Sequence, residues 1–364
     1  MEFLSFKRIL RAGEQQLMSC VRMAATPVLS RRAVAFGMCA AVALSLVPAA
    51  PALAQDAKVA KLGHGFADTH PRSAAMKYFA EEVAKSTGGS VKIDIFGNSA
   101  IGSEEKMLMA VQSGTVDLYM GALAPIATHQ KELQIFDFPF LFATDAEAAT
   151  LLDGPEGQRL LDNLSALKIH GLVWSGGAFR NLSNSKHAVG ALTDMKGLKV
   201  RVMQSPMALA SFKALGMNAV PMAFTEVYTA LETGALDGYE HPFVDMYANK
   251  MYEVQKYLTV TNHVYTPVAL LASNRFFDLL TPDQQKALQA AAEKTRTFQR
   301  EAELREAGEA LKKLEAEGMA ATVMPAAELD AIRSAIEPVI AKNKETIGPA
   351  FVDQFYAEIA KQRK

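Results

Sequence analysis

The sequence predicts an α/β protein, because from Lys58 onward short apolar runs alternate with amphipathic stretches at helical spacing. Composition agrees: with 50% apolar and 21% charged residues the chain suits a soluble globular protein and excludes disorder, collagen and coiled-coil rods. A third observation points to two lobes. AVQSGTVDLYMG (Ala110–Gly121) is similar to ALETGALDGYEH (Ala230–His241), each reading as a helix end, a glycine, two residues and an aspartate. Such a repeat fits two lobes of one architecture facing each other across a cleft.

The first 54 residues differ from the rest. No charged side chain occurs from Ala33 to Gln55; Arg31 and Arg32 precede the run, and Pro48, Pro51 and Ala52–Ala54 close it with small residues. This is the pattern of a secretory leader cleaved near Ala54. A retained anchor would need about 20 strongly apolar residues, whereas this run is rich in alanine and carries two prolines. The stretch before Met23 is long for a leader and suggests a start placed too far upstream. Without residues 1–54 the charge balance moves from 38 basic and 39 acidic residues to 32 and 37. A net charge near -5 gives no basic field for nucleic acid. Cys20 and Cys39 leave with the leader, so the mature chain has no disulfide framework and no thiolate chemistry. Export to the periplasm or the cell exterior is expected.

After the leader, Val59–Gly63 reads as a strand, and Pro71–Lys85 places Met76, Phe79, Ala80 and Val83 at helical spacing. Val91, Ile93 and Ile95 alternate as a strand. Ser103 caps a helix whose first turn carries Glu104 and Glu105, favourable beside the positive end of the dipole, and Gly114 ends it. Val116–Met120 is the next strand. Farther on, Leu198–Met203 is a strand, and Ser205-Pro206 opens a helix ending at Gly216. Ala219–Met222 is short and extended, and Thr225 opens a helix closed by Gly234. Pro282–Glu317 is helix-forming throughout, up to ~50 Å if unbroken, or two helices with a kink near Gly308. Helices near Ala326–Lys342, kinked at Pro338, and Pro349–Lys361 finish the chain.

Searches for catalytic patterns are negative. There is no Gly-Lys dipeptide for a phosphate loop and no Gly-x-Ser-x-Gly elbow. In Gly63–Asp68 the aspartate stands where a dinucleotide loop has its last glycine, and it would repel a pyrophosphate. The seven histidines never fall at HxxxH or HExxH spacing, so no cofactor and no metal site is expected. Arginine in apolar surroundings stands out instead. Arg201 lies inside LKVRVM (Leu198–Met203), where a buried charge needs an anion. That anion is either an internal carboxylate or the carboxylate of a ligand, which the planar guanidinium can grip with two parallel hydrogen bonds. Arg180, six residues beyond Trp174, is a second candidate. Phe224, Tyr228, Tyr239, His241 and Tyr265 cluster in the same segments; each alone is as well explained by core packing, but with the arginines they would make a cleft for a small anion.

Six segments carry a family resemblance: HPRSAAMKYFAEEV (His70–Val83), FGNSAIGSEEKML (Phe96–Leu108), FDFPFLF (Phe136–Phe142), MKGLKVRVMQSP (Met195–Pro206), PMAFTEVYTALETGALDGYEHP (Pro221–Pro242) and MYEVQKYLTVTNHVY (Met251–Tyr265). With these the chain resembles the DctP-like extracytoplasmic solute-binding subunits of TRAP transporters over nearly all of its mature length. The resemblance implies a two-lobed periplasmic-binding-protein fold with crossing inter-lobe strands and a long spanning helix. It implies one lobe of residues 55–177 plus about 267–305, and a second of 178–266 plus about 306–364. It implies that Arg201 bridges a ligand carboxylate, that Arg180 assists, that Phe224 packs on the ligand, and that His241 reaches it. Glu104, Tyr239, Trp174 and His70 complete the expected site. Sialic-acid binders of the family have a glutamate and an asparagine where Ala122 and His241 stand, so another small acid is expected, a C4-type dicarboxylate or a monocarboxylate. The implied partners are that acid and two membrane subunits, small and large, with the protein a monomer that binds without catalysis. A receptor feeding a sensor and a periplasmic enzyme acting on organic acids are the rival readings.

Overall fold

A computed structural model describes residues 57–363. The expected leader, with both cysteines, lies outside them. The elements run β1 (Lys58–His64), α1 (Pro71–Ser86), β2 (Val91–Phe96), α2 (Glu104–Ser113), β3 (Leu118–Ala122), α3 (Asp145–Asp153), α4 (Pro155–Asp162), β4 (Ile169–Asn184), β5 (Lys199–Val202) and α5 (Pro206–Ala214). There follow β6 (Asn218–Pro221), α6 (Val227–Glu232), β7 (Gly238–His241), α7 (Phe243–Ala248), β8 (Tyr257–Ser273), α8 (Asn274–Leu279), α9 (Pro282–Ala316), β9 (Ala320–Val323), α10 (Ala326–Ile347) and α11 (Pro349–Gln362). No helix among the described residues is long and apolar enough to cross a membrane.

The strands form one mixed sheet in the order β2-β1-β3-β8-β4-β7-β5-β6, with β9 pairing β8. Its two ends mirror each other. β1 runs parallel to β2 and β3, β5 runs parallel to β6 and β7, and the long antiparallel pair β4–β8 joins the halves. This is the expected α/β architecture with crossing strands, and it explains the sequence repeat. Asp117, just before β3, accepts from Lys61 N at 2.7 Å, and Asp237, just before β7, accepts from Lys199 N at 2.8 Å. Each aspartate fixes the register of its strand beside the parallel neighbour. Because Val116 and Asp117 are used in that turn, β3 begins later than apolarity alone predicts.

α2 follows its sequence signals closely: Ser103 caps it and Gly114, at φ 75°, ends it in the left-handed conformation that glycine adopts without strain. The helix expected to open at Thr225 instead begins with a 3₁₀ turn over Phe224–Glu226. α9 settles the question left open at Gly308, since it runs unbroken for 35 residues, about 52 Å. A Cβ at Gly308 would meet nothing within 4 Å, so this glycine marks an open face rather than a break. Thr281 and Gln284 form a reciprocal capping box at its start. α9 joins two apolar clusters: Leu288, Ala291 and Ala292 pack with Met76 and Phe79 of α1, while Leu314 packs with Val227, Leu231 and Met246 beyond. α10 continues through Pro338 to Ile347. The last helices reach across the fold. Ile332 and Ile336 of α10 share a cluster with Met207 and Phe212 of α5, and Arg363, just after α11, pairs with Glu147 of α3.

Candidate functional site

A cavity of about 670 Å³, partly open to solvent, lies at the carboxyl ends of the parallel strands of both halves. Open α/β sheets bind ligands at this end, where loops and helix starts converge. Gly65 and Phe66 follow β1, Glu104 opens α2, and Ala122 ends β3; from the other half come Arg201 in β5, Met203, Phe224 and His241. The crossing strands supply Arg180, Thr266 and Val268. Next to the lining residues Met203 and Glu104, Gln204 Nε2 donates to Glu105 Oε2 at 3.2 Å, joining the two sides.

Three arginines are buried among the described residues: Arg72, Arg180 and Arg201. All three line this cavity, and their partners decide their roles. Arg72 pairs with Glu303 of α9 through Nε, and its Nη1 lies 3.7 Å from Asp245. A Cβ at Gly176 would sit 2.3 Å from Glu303, so glycine there lets this carboxylate approach the crossing strand. Arg180 grips Glu240 with two nitrogens; its Nη2 reaches Oε1 at 2.8 Å and the Glu240 carbonyl at 2.6 Å. Burial works against the charge on Glu240, but Arg180 outweighs it and holds the carboxyl down at about 2. Among the described residues Arg201 has no carboxylate within ion-pair distance. Its Nε donates to the Met222 carbonyl at 2.9 Å, and its buried Nη1 has no partner among the described residues. Burial, with Arg180 nearby, lowers its pKa to about 10. The Phe224 ring lies 5.9 Å from its guanidinium and 4.8 Å from the His241 ring.

Asp245 of α7 faces the same space. It sits 3.4 Å from His70 Nε2 and 3.7 Å from His241 Nδ1, and its Oδ2 has no hydrogen-bond partner among the described residues. Burial opposes its charge, yet His70, His241 and Arg72 hold it well below the usual carboxylate range. Glu104 differs: burial raises it, against the pull of Arg201 and Arg180.

Five of the sequence-predicted residues therefore meet in the cavity wall: Arg201, Arg180, Phe224, His241 and Glu104. Three stand elsewhere. His70 caps α1, accepting from Arg72 N at 3.1 Å, and supports Asp245 from behind, in a second cavity of about 740 Å³ beside α9. Tyr239 is fully buried beneath His241, with ring centroids 6.0 Å apart. Trp174 is a core residue: its Nε1 donates to the Gly157 carbonyl at 2.9 Å and its ring packs edge-on against Phe136. Of the other aromatics, Tyr228 donates to Glu253 at 2.7 Å and Tyr265 packs with Phe142 and Phe179. Sequence reasoning missed Arg72 and Asp245. Arg72 shares a helical face with the buried Met76, Phe79 and Val83, and an arginine on an apolar stripe was the available signal. Among the described residues no group of three acidic, histidine or cysteine side chains is arranged to hold a metal.

Three histidines, His64, His170 and His241, are lowered by burial and make stability pH-dependent. Burial lowers His64 and His241 from 6.5 to about 4, so between those values the unfolded chain binds two protons that the folded chain does not. Stability falls as pH falls through that window. Asp137, which burial raises to about 6, acts in the opposite sense, as do Glu104 and Asp145. The histidines outweigh the partial return, and the protein is expected to lose about 1–2 kcal/mol between pH 7 and pH 5. Denaturant titrations at both values check this; a gain on acidification would contradict the buried neutral histidines.

The family model described as bacterial extracellular solute-binding protein, family 7 (DctP), matches residues 62–346. A solute-binding protein of Verminephrobacter eiseniae is 39% identical over 77% of this chain and 83% of its own length. A C4-dicarboxylate-binding periplasmic protein of Rhodobacter capsulatus is 35% identical over 69% of this chain and 75% of its own. Among solved structures, the sugar acid binding protein of Advenella mimigardefordensis in complex with galactonate superposes with a TM-score of 0.82 at 41% identity. That match covers 84% of this chain and 99% of the other.

Proposed function

Since the chain belongs to the bacterial extracellular solute-binding proteins of family 7, the DctP family, we propose that it captures a small carboxylate in the periplasm and delivers it to a TRAP-type permease. One observation carries the carboxylate: of three buried arginines on one cavity, Arg72 and Arg180 have internal acids, and Arg201 has none among the described residues. The cost of holding Arg201 in that state is recovered when a ligand anion arrives. The Rhodobacter relative is named for C4-dicarboxylates and the Advenella sugar acid binding protein is in complex with galactonate, and both ligands carry a carboxylate.

In this reading Arg201 fixes the carboxylate through Nη1. Arg180, held in place by Glu240, adds positive field, Phe224 packs on the ligand, and His241 and Glu104 reach it from opposite lobes. The lobes divide near residues 177 and 267 on the crossing strands, where the chain passes twice between the halves. α9 spans them, and α11 rides on α3 of the first lobe. Closure over the ligand draws only on the greater affinity of the closed state. The leader is removed near Ala54, and the monomer presents its loaded form to small and large membrane subunits.

A thermal-shift screen of the purified protein against organic acids, with lactose and an amino-acid mixture as controls, tests this. A ligand at 100 times its Kd stabilises by ~2.7 kcal/mol, a shift of several degrees. If no acid raises Tm, even after unfolding and refolding to strip carried-over ligand, carboxylate capture is wrong.

A further inference from the structure

The cavity wall presents four buried polar atoms without hydrogen-bond partners among the described residues: Arg201 Nη1, Asp245 Oδ2, His241 Nδ1 and Thr266 Oγ1. Their chemistry is not uniform. Arg201 only donates, and the Asp245 carboxylate only accepts. A ligand that satisfies both must bring an anionic acceptor to one and a hydrogen-bond donor to the other. A dicarboxylate brings acceptors at both ends. Once its first carboxylate has met Arg201, the second finds Arg72 and Arg180 already paired with Glu303 and Glu240, and Asp245 and Glu104 facing it. A hydroxyl suits the same place. With 3.7 Å between Asp245 Oδ2 and His241 Nδ1, one hydroxyl group can donate to the carboxylate and contact the imidazole nitrogen. Phe66, Met203, Phe224 and Val268 offer apolar surface for the C–H faces of a carbon chain between the two ends.

Resting on the carboxylate-capture reading, we propose that the ligand is a polyhydroxylated monocarboxylate, a sugar acid, and that Asp245 selects it by accepting a hydroxyl and repelling a second carboxylate. Asp245 is a specificity residue, separate in role from the anchor Arg201. The buried Asp245 carboxylate is itself positioned by His70 Nε2 and Arg72 Nη1, which hold its charge in place on the side away from His241.

Calorimetric titrations with galactonate, gluconate and erythronate, with succinate and malate, and with hexanoate test the proposal. At least one hydroxylated acid is expected to bind 100-fold or more tightly than either dicarboxylate, with hexanoate weakest, since it leaves Asp245 and His241 unsatisfied. Asp245→Asn keeps the shape and removes the charge. It is expected to weaken the hydroxylated acid tenfold or more and to narrow the gap to succinate. Succinate or malate binding as tightly as the hydroxylated acids in the wild-type protein overturns the selection while leaving carboxylate capture intact. An Asp245→Asn variant that weakens all acids equally overturns the role of Asp245. Should that variant not fold, the wild-type ranking alone decides. If no compound in any group binds, the capture reading itself fails.

Discussion

Arg201→Met is expected to abolish ligand binding and to leave the unliganded protein as stable as the wild type or more so. The two effects have one cause. The Arg201 guanidinium is buried, lies near Arg180, and has no carboxylate against it among the described residues, which is why its pKa falls to about 10. A drop of that size from 12.5 corresponds to a cost of about 3 kcal/mol for keeping the charge buried. Methionine fills similar space without that cost, and the loss of the Nε bond to the Met222 carbonyl offsets part of the gain. With ligand present the balance reverses. Removing one partner of a buried hydrogen-bonded charge pair costs about 2–5 kcal/mol, or roughly 30-fold to several-thousand-fold in Kd. Arg201→Lys keeps the charge but not the planar pair of donors, and most of the affinity is lost with it. Calorimetry for binding and denaturant melts for stability read the two effects separately. A variant that loses both together would mean that Arg201 is a structural residue.

Arg180→Met is expected to behave in the opposite way. Here the arginine is the counterion of a fully buried carboxylate, and its loss leaves Glu240 without its hydrogen-bonded guanidinium, with the His263 imidazole 3.4 Å away at Nε2. Breaking such a pair from one side costs about 3–5 kcal/mol, a fall in Tm of about 5 °C or more for a chain of this size. The double variant Arg180→Met with Glu240→Met removes both charges and is expected to regain most of the loss. If the single change leaves Tm unaltered, the ion pair does not hold these strands together.

The contrast between these arginines shows what a sequence can disclose. Arg201 in KVRV and Arg180 in AFRN look alike as letters, and each needs a buried anion. The partner of Arg180 is Glu240, 60 positions away, brought opposite by the antiparallel pairing of β4 with β7. No local pattern encodes that meeting. The fold was far more legible, because helix caps such as Ser103 and Gly114 and the repeated Gly-x-x-Asp before β3 and β7 act over a few residues. Trp174 shows the reverse failure. It sits on a crossing strand as expected, but a strand has two faces and this side chain points to Gly157 and Phe136. Asp245 was hidden because an aspartate in the first turn of a helix is ordinary; only the approach of His70 and Arg72 from α1 makes it a buried acid.

The most direct test of the central claim is a crystal structure of the protein with the acid that binds most tightly in the screen. The ligand carboxylate is expected against the Arg201 guanidinium, with an oxygen within hydrogen-bond distance of Nη1, while Arg180 keeps its pairing with Glu240. A carboxylate seated on Arg180 or Arg72 with Arg201 still unpaired, or a ligand bound outside this cavity, would contradict the account.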